Sequence, residues 1–575
     1  MKKNILQIIS MVVLLISAQS CSDSLEETNP NSVSTDVYWS TLTESNDNLT
    51  SVYGAMLNHF IWFFDVDAFT SDMAFPSDRR NPRGSYTPFY QQRFSNTNKE
   101  LTQRWDALYQ VVFRSNQVID GLNGMNDDLK SQPGWTEQMA QARYFRGLAH
   151  FYLHSTYNEG KIIIRDFIPA SSEEFSLATS SSDDVIAFFR EDLEYAYDNL
   201  PASWEQKTRV SAGNAAFNLG KSYLYNKEYD KAIPFLKDVI ENSEYGYRLL
   251  DGEDINLLFT EAGDYNDESI FELNYSDKQQ TEESQWDEES FNNRWGRYFG
   301  PQSGLKIGGG NSWVIPSAWL TNEYLQEPLD IDDARNYVDN GSGGLALRSV
   351  SLRCSQLVAV VNDEDTEYYL QPKANSFYGF GNTKFSNFKK YSNHDKSVSE
   401  NEVLGINWKS GKNVIVDRIA DAYLMLAECI LQDSGDVSAA LNYINPIRKR
   451  WGVVQLEAAD YDATTLMEHI MYKERPLELA VEGYSTRNID LRRWGITKTR
   501  LEELAAQDWN LVEYVSPDGT KFPKSLIQEG LSPDPSDNTI TIKEYVDAAN
   551  NYQDNLHAYW ELPLSEVLNN QQSSN

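Results

Sequence analysis

Arg418-Ile-Ala-Asp-Ala-Tyr-Leu-Met-Leu-Ala-Glu428 is an apolar run with small and large side chains at helical spacing. A Gly435-Asp436 turn follows, and then a second run with Ala440, Leu441 and Ile444 at spacings of one and three. Apolar residues at such spacings occupy one face of an α-helix. The stretch 417–444 therefore predicts two helices joined by a tight turn, with facing apolar stripes.

The same helix–turn–helix pattern recurs earlier in the chain, at residues 211–241. Leu219-Gly220-x-x-Tyr223 precedes Glu228-Tyr229-Asp230-Lys231-Ala232, which is typical of a tetratricopeptide repeat, although Ala216 stands where the repeat usually has Trp. Residues 137–200 and 465–495 predict two more helix pairs with weaker patterns, and single helices are expected over 37–63 and 101–123. Stacked pairs of this kind cover each other's apolar faces. The chain is thus predicted to be mostly α-helical.

Charged motifs accompany these helices. Lys473-Glu474-Arg475-Pro-Leu-Glu-Leu-Ala-Val-Glu482-Gly483 is followed by Asp490-Leu-Arg-Arg-Trp494-Gly495. Upstream lie Arg104-Trp105-x-x-Leu108-Tyr109 and the long block Ala140-Gln-Ala-Arg143-Tyr-Phe-Arg146-Gly-Leu-Ala-His-Phe-Tyr152. Ile270-Phe271-Glu272 begins a short run that alternates as a strand does, and Leu562-Pro563-Leu564-Ser565-Glu566 lies near the C-terminus.

Taken in this order, the motifs resemble those of the RagB/SusD family of surface glycan-binding lipoproteins, over nearly all of the mature chain. The stretch from Gly483 to Asp490 is longer than the family's usual pattern. The resemblance implies a SusD-like fold and a tetratricopeptide face packed on a SusC-like TonB-dependent transporter. It also implies a loop-built site for oligosaccharide or polysaccharide on another face, no catalytic residues and no cofactor. A peptide-binding member of the family is an alternative.

The N-terminus has the pattern of a lipoprotein signal. Lys2 and Lys3 precede an apolar run over 5–16, small and polar residues, and then Cys21. The apolar run is too short for a transmembrane helix. We expect removal of residues 1–20 and acylation of Cys21, which would hold the protein to a membrane by lipid. The acidic residues after Cys21 resemble a signal for the extracellular face of the outer membrane.

The composition argues against some classes of function. The formal net charge of −35 over 575 residues opposes binding to nucleic acid or anionic lipid. We divide the chain into a tether at 21–36, a helical region at 37–244, a loop-rich and aromatic-rich region at 245–410, and a helical region at 411–575. Cys354 and Cys429 are the remaining cysteines, and Cys429 reads as a small apolar helix residue rather than a disulfide partner.

Candidate ligand-binding residues lie in two irregular segments. Aromatic side chains in loops are harder to assign to a core than aromatics at helical spacing, and sugar rings stack on aromatic faces. Long loops are often functional, and residues 76–98 read as one. The candidates in and just before this loop are Asp72, Arg79, Arg80, Arg83, Tyr86, Phe89 and Tyr90, and those in the Trp-rich segment are Trp286, Trp295, Tyr298 and Trp313.

Other chemistries are weaker predictions. His150 and His154 have the spacing of a zinc-protease helix, but Phe151 stands where the catalytic Glu is required, so packing is the better interpretation. The run Asp330-Ile-Asp332-Asp333 lacks calcium-loop spacing and reads as a solvated turn. A glycosidase needs two carboxylates about 5–10 Å apart, and no motif marks such a pair. A surface glycoside hydrolase therefore remains the less favoured alternative.

Overall fold

The computed structural model describes residues 39–76, 86–278, 289–301, 310–377, 379–381, 384–404, 410–531, 543–570 and 572. The signal segment and the whole tether, including Cys21, lie outside these residues, as do Arg79, Arg80, Arg83 and Trp286. The prediction of a mostly helical chain with few short strands is confirmed.

Eight long helices form the frame of the described part of the chain. They are α1 (Leu42–Met56), α5 (Lys99–Gly124), α7 (Pro133–Thr156), α8 (Ser182–Asn199), α9 (Ala212–Tyr225), α10 (Tyr229–Glu241), α16 (Ile419–Ser434) and α17 (Val437–Arg450). The shorter helices before α16 are α2 (His59–Trp62), α3 (Phe64–Thr70), α4 (Thr87–Tyr90), α6 (Asp127–Lys130), α11 (Trp295–Phe299), α12 (Ala318–Leu325), α13 (Leu352–Leu357), α14 (Ala374–Phe377) and α15 (Glu400–Leu404). The shorter helices after α17 are α18 (Ala463–His469), α19 (Arg475–Glu478), α20 (Thr486–Arg493), α21 (Thr497–Ala506), α22 (Val546–Asn551), α23 (Asp554–His557) and α24 (Leu564–Asn569).

The long helices stack one on the next, and the stack passes from α10 directly to α16 although about 180 residues separate them in sequence. Helix α5 packs on α7, then α8, α9 and α10 follow in turn, and α10 packs on α16, which pairs with α17. This stacking is consistent with tetratricopeptide-type pairs at 137–200, 211–241 and 417–444. Gly220 permits the close approach of α9 and α10, because a Cβ there would lie 2.8 Å from the Leu236 side chain. Cys429 is fully buried in the apolar cluster that joins these pairs and forms no disulfide with Cys354.

The predicted pair at 465–495 differs from the others. Helix α18 continues into a π-helical turn, Ile470–Glu474, and then into α19, and the chain reverses before α20. A π-helical turn shifts the phase of the following side chains relative to the preceding helix. In this helix it lies directly before Arg475 and Glu478, both of which are buried.

The strands form two-stranded antiparallel sheets that tie distant segments together. Strand β2 (Ser269–Leu273) pairs with β8 (Val414–Arg418), so the strand predicted from Ile270 is confirmed and lies beside the start of α16. Strand β1 (Ala74–Pro76) pairs with β3 (Val314–Pro316), which brings the two predicted ligand-binding segments together. The other pairs are β4 (Tyr337–Asp339) with β5 (Leu345–Leu347), β6 (Val358–Val360) with β7 (Ser386–Phe388), and β9 (Trp509–Val515) with β10 (Lys521–Glu529).

The charged motif in α18–α19 is a buried ion-pair network. Glu478 is fully buried and accepts hydrogen bonds from Arg418 Nη1 at 2.7 Å, from Trp451 Nε1 at 2.8 Å, and from Arg450. The cations Arg418, Arg450 and Arg353 lie on β8, α17 and α13, so one carboxylate joins three separate elements. Burial alone would raise the pKa of Glu478, but these charges outweigh it and hold the pKa well below its usual value.

The rest of the motif extends this network. Arg475 donates to Asp421 at 2.8 Å and to Asp490 at 2.7 Å, which links α19 to α16 and α20. Glu482 accepts a hydrogen bond from Arg418 Nε at 2.6 Å. Glu474 accepts from Arg448 at 2.7 Å. The signature residues thus hold the C-terminal helices together, and a ligand has no access to them in this conformation.

Other sequence candidates also have structural roles. His150 is fully buried, with Nδ1 2.8 Å from the Arg146 carbonyl oxygen and Nε2 3.3 Å from the Arg165 amide nitrogen. Burial lowers the pKa of His150 to about 4, so the imidazole is neutral. Asp333 pairs with Arg335 at 2.6 Å, in the segment that was predicted to be a solvated turn. Within the described ranges, no cluster of three His, Cys, Asp or Glu side chains has metal-binding geometry.

None of the helices within the described ranges combines the length and the apolar character required to cross a membrane.

Candidate functional site

Five of the predicted ligand-binding residues are buried: Tyr298, described below with its neighbours, and four others. Phe89 is fully buried and stacks on Phe94, with ring centroids 5.2 Å apart. The Tyr90 hydroxyl accepts a hydrogen bond from the Tyr545 amide at 2.8 Å. Trp295, which is 2% exposed, packs edge-on against Phe64. The structure therefore places these three rings in the interior, where they present no open face to a sugar.

Asp72 is the fourth. Its carboxylate accepts two hydrogen bonds from Arg487, from Nε and Nη2 at 2.7 Å each, and a third from Arg500 Nε at 3.1 Å. Asp72 is fully buried, so it offers no acceptor to a ligand. Burial alone would raise the pKa of Asp72, but the two guanidinium groups outweigh it and lower the pKa below its usual value. Asp72 therefore fixes the β1 segment to α20 and α21.

We expect Asp72→Asn to destabilise the protein by about 3 kcal/mol at neutral pH, because it leaves two buried guanidinium groups without their anion. The folded pKa is depressed, so the ion pair contributes fully above the unfolded pKa of about 3.9 and is lost as pH falls through the folded pKa. The gap in Tm between wild type and Asp72→Asn should therefore narrow in acid. Thermal unfolding from pH 7 to pH 3 measures this.

Glu191→Gln is the matched control for that comparison. Its carboxylate is 75% exposed and pairs with Arg143 at 3.0 Å, so its loss should change Tm little at any pH. A Tm gap for Asp72→Asn that is as small as the control's, or that widens in acid, would contradict the role given to Asp72.

Three candidates do come together at the surface, and we call Tyr86, Tyr298 and Trp313 the Trp313 cluster. Trp313 is 36% exposed, with its ring centroid 5.0 Å from that of Tyr298 and 6.5 Å from that of Tyr86. Tyr86 is half-buried, and Tyr298 is 8% exposed. The indole of Trp313 therefore supplies the open face, and the two tyrosines support it from the side.

Backbone contacts fix the position of Trp313. The amides of Asn311, Ser312 and Trp313 donate to the carbonyl oxygens of Arg297, Gly300 and Tyr298, each at 2.8 Å. Gly310 permits this docking, because a Cβ there would lie 2.2 Å from the Gly300 carbonyl oxygen. The indole is thus carried by a segment bonded to α11, and β3 follows it directly.

A buried carboxylate supports the cluster from inside. The Tyr86 phenol lies near enough to Asp65 of α3 to lower the pKa of that carboxyl, and the Val66 amide donates to Asp65 Oδ1 at 2.9 Å. Burial raises the pKa of Asp65 to about 6. Burial and the neighbouring Asp65 raise the pKa of Tyr298 to about 12, and burial likewise raises that of Tyr86. Both phenols are therefore protonated at neutral pH.

Two polar residues of this site were missed by sequence reasoning. Asp65 sits in an apolar run, and only the tertiary contact with Tyr86 reveals its role. Arg297 is half-buried on α11 beside Tyr298 and carries planar N–H donors of the kind that sugar hydroxyls accept. Its position between two candidates of the aromatic segment, Trp295 and Tyr298, was a signal that could have identified it.

The arrangement has the chemical groups that sugar binding requires. An exposed indole face, protonated phenols and a guanidinium match the apolar face and the hydroxyl rim of a pyranose. The carboxyl with the pKa raised to about 7, Asp264, accepts hydrogen bonds from the Asn413 amide at 3.2 and 3.3 Å. Its neighbour Glu272 accepts from the Tyr265 amide at 2.9 Å and lies 8% exposed. Both carboxyls are thus bonded to backbone amides in or near the β2–β8 region.

Family models match both parts of the chain. A model described as the SusD family matches residues 267–573, more than half of the chain. A second, described as starch-binding and associating with the outer membrane, matches residues 23–224. SusD-like protein P25 of Formosa agariphila is 24% identical over 547 residues, which cover 92% of this chain and 97% of that relative.

Solved structures share the fold. A SusD superfamily protein from Bacteroides vulgatus superposes with a TM-score of 0.70 at 21% identity, covering 93% of this chain and 98% of that one. A laminarin-binding SusD-like protein gives a TM-score of 0.63 at 20% identity, covering 92% and 98%. A structure with xylogluco-oligosaccharide gives 0.64 at 18% identity, covering 91% and 97%. From the family match and the shared fold together, the chain belongs to the SusD family.

Proposed function

We propose that this protein captures oligosaccharide or polysaccharide at the cell surface through the Trp313 cluster and delivers it, without cleaving it, to a SusC-like TonB-dependent transporter. The observation that carries the proposal is an indole exposed over a third of its surface and fixed by its own backbone. Large aromatic groups held open to solvent in this way are typical of ligand sites, because their burial against a ligand contributes most of the binding energy.

Relatives support the ligand class. One protein of the same fold is described as laminarin-binding, and another was solved with xylogluco-oligosaccharide. The family model that matches residues 23–224 is described as starch-binding. These sugars are neutral, and Trp313, Tyr86 and Tyr298 are uncharged at neutral pH. A neutral glycan also avoids the repulsion that a chain with a net charge of −35 would exert on an anionic one.

Delivery and location extend the same proposal. Lipid on Cys21 would hold the body at the extracellular face of the outer membrane, in keeping with the family description of association with that membrane. The stacked pairs α7–α8, α9–α10 and α16–α17 would form the face that docks on the transporter. The ligand site is built from other elements, α11 and the segment before β3, so both surfaces can act at once.

Affinity electrophoresis of residues 22–575 through gels containing laminarin, xyloglucan or starch tests the proposal. We expect retarded migration in at least one gel and no new reducing ends in the same mixtures. New reducing ends would overturn the non-catalytic reading in favour of a surface hydrolase. Normal migration in every gel would overturn capture of these glycans and direct attention to peptides, which isothermal titration with a peptide library then examines.

A further inference from the structure

A second aromatic cavity lies away from the Trp313 cluster, at the open end of the α9–α10 pair. We call it the Trp204 pocket, and its volume is about 280 Å³. Three chain segments line it: 202–214, which runs into the start of α9, 244–247 after α10, and 265–272, which runs into β2. It shares no lining residue with the Trp313 cluster. A cavity of this size accommodates one or two sugar rings, by comparison with ordinary small-ligand pockets of about 300–1,000 Å³.

The aromatic side chains that line the Trp204 pocket are held in place through their polar ends. Trp204 Nε1 donates to the Val210 carbonyl oxygen at 2.7 Å, and the Tyr245 hydroxyl donates to Asp238 Oδ2 at 2.6 Å. Tyr247 packs over Gly213 so closely that a Cβ there would lie 2.7 Å from its ring. All three rings are half-buried, so each keeps part of its surface open. Rings fixed before binding lose little entropy when a ligand stacks on them.

Both cations that line the pocket already donate hydrogen bonds within the protein. Lys207 donates to Asp267 and to the Tyr265 carbonyl oxygen, each at 3.2 Å. Arg209 donates to Gln141 at 3.2 Å and to Asn46 at 2.8 Å, and its guanidinium lies 5.8 Å from the Trp204 ring. A phosphate or carboxylate ligand would have to break these contacts. The pocket therefore favours a neutral ligand with apolar faces and a hydroxyl rim.

A strained backbone adds to the case. Tyr265, the fourth aromatic residue of the lining, has φ of +59°, which non-glycine residues seldom adopt. Its amide donates to both oxygens of Glu272, at 2.9 and 3.0 Å, and this bond keeps the residue in place. Strain of this kind clusters at ligand-binding sites, where surrounding contacts maintain it.

We propose that the Trp204 pocket is a second carbohydrate site, which takes one or two pyranose units of a neutral glycan. The ligand class rests on the proposed function, whereas the pocket itself rests on its own geometry. Two sites on one chain raise the effective affinity for a polysaccharide that reaches both, relative to a short oligosaccharide that fills one.

Fluorine NMR with 5-fluorotryptophan in residues 22–575 distinguishes the two sites. The resonance that disappears in Trp204→Phe is assigned to Trp204, and the one that disappears in Trp313→Phe is assigned to Trp313. Heptasaccharides prepared from laminarin, xyloglucan and starch are then titrated to millimolar concentration. We expect the glycan that shifts the Trp313 resonance to shift the Trp204 resonance as well, with saturation. The Trp204 shift should persist in the Trp313→Phe protein.

The outcomes separate the two proposals. A shift at Trp313 alone overturns the second site and leaves the proposed function intact. A shift at Trp204 alone supports the pocket and contradicts capture at the Trp313 cluster. No shift at either position with any of the three glycans overturns both. As a second variant, Tyr245→Leu should lower polysaccharide affinity severalfold and leave the Trp313 shift unchanged, and equal polysaccharide affinity would overturn the avidity argument.

Discussion

Glu478→Ala is expected to lower the free energy of unfolding by about 3–5 kcal/mol, a large part of the roughly 5–15 kcal/mol that stabilises a typical protein. The carboxylate is fully buried and bonded to Arg418, Arg450 and Trp451. Without it, guanidinium groups stay buried with too few anions, and the desolvation of each is no longer offset. Urea unfolding followed by tryptophan fluorescence measures the change.

The matched control for Glu478 is an exposed ion pair. Arg248 and Asp254 are 2.9 Å apart, and their side chains are 50% and 49% exposed. Asp254→Asn should therefore cost less than about 1 kcal/mol, because solvent screens the interaction. If Glu478→Ala costs no more than Asp254→Asn, the network does not hold the C-terminal helices together. The loss of stability in Glu478→Gln is expected to lie between those of the two variants, because glutamine retains the shape and one acceptor oxygen but loses the charge.

Trp313→Ala is expected to weaken glycan binding by about 1.5–3 kcal/mol, which is roughly tenfold to 100-fold in Kd. The indole is the open face of the Trp313 cluster, and no second ring there is as exposed among the described residues. Its removal should leave the fold intact, because the backbone bonds of residues 311–313 do not depend on the side chain. Affinity electrophoresis against the glycan that binds wild type, with isothermal titration, measures the loss.

Tyr337→Ala is the matched control for Trp313. Tyr337 lies on β4, in a different hairpin, and is 37% exposed, nearly the same as Trp313. Its loss should leave glycan affinity unchanged, so any general effect of removing a surface ring is subtracted. Trp313→Phe should retain part of the affinity, because a smaller ring still stacks. Wild-type affinity in a folded Trp313→Ala protein would remove this cluster from the site.

Much of the helical frame could be predicted from local sequence. The runs at 211–241 and 417–444 carry apolar residues at helical spacing around short turns, and the structure has helices at both. The strand at Ile270 alternates as expected, although its partner, β8, lies over 140 residues away. The predicted pair at 465–495 was less regular, because a π-helical turn interrupts the periodicity that defines such a pair.

From the sequence, the candidate site could be assigned to two chain segments but not to individual side chains. Trp295 and Trp313 lie in the same irregular stretch, yet one is 2% and the other 36% exposed. What separates them is the docking of residues 310–313 on α11 and the pairing of β1 with β3, which are contacts between distant positions. Local spacing carries no information about such contacts, so it cannot say which ring faces solvent.

The sequence by itself determined the helical frame, the family resemblance and the two segments in which ligand-binding residues were sought. These properties follow from periodicity and motif order, which are local. The tertiary structure alone decided that Asp72 is an ion-pair anchor for Arg487, 415 positions away, and that Trp313 is the open ring. Burial and partner choice depend on how remote segments pack, since the same carboxylate or indole is stable in a core or at a surface according to its neighbours.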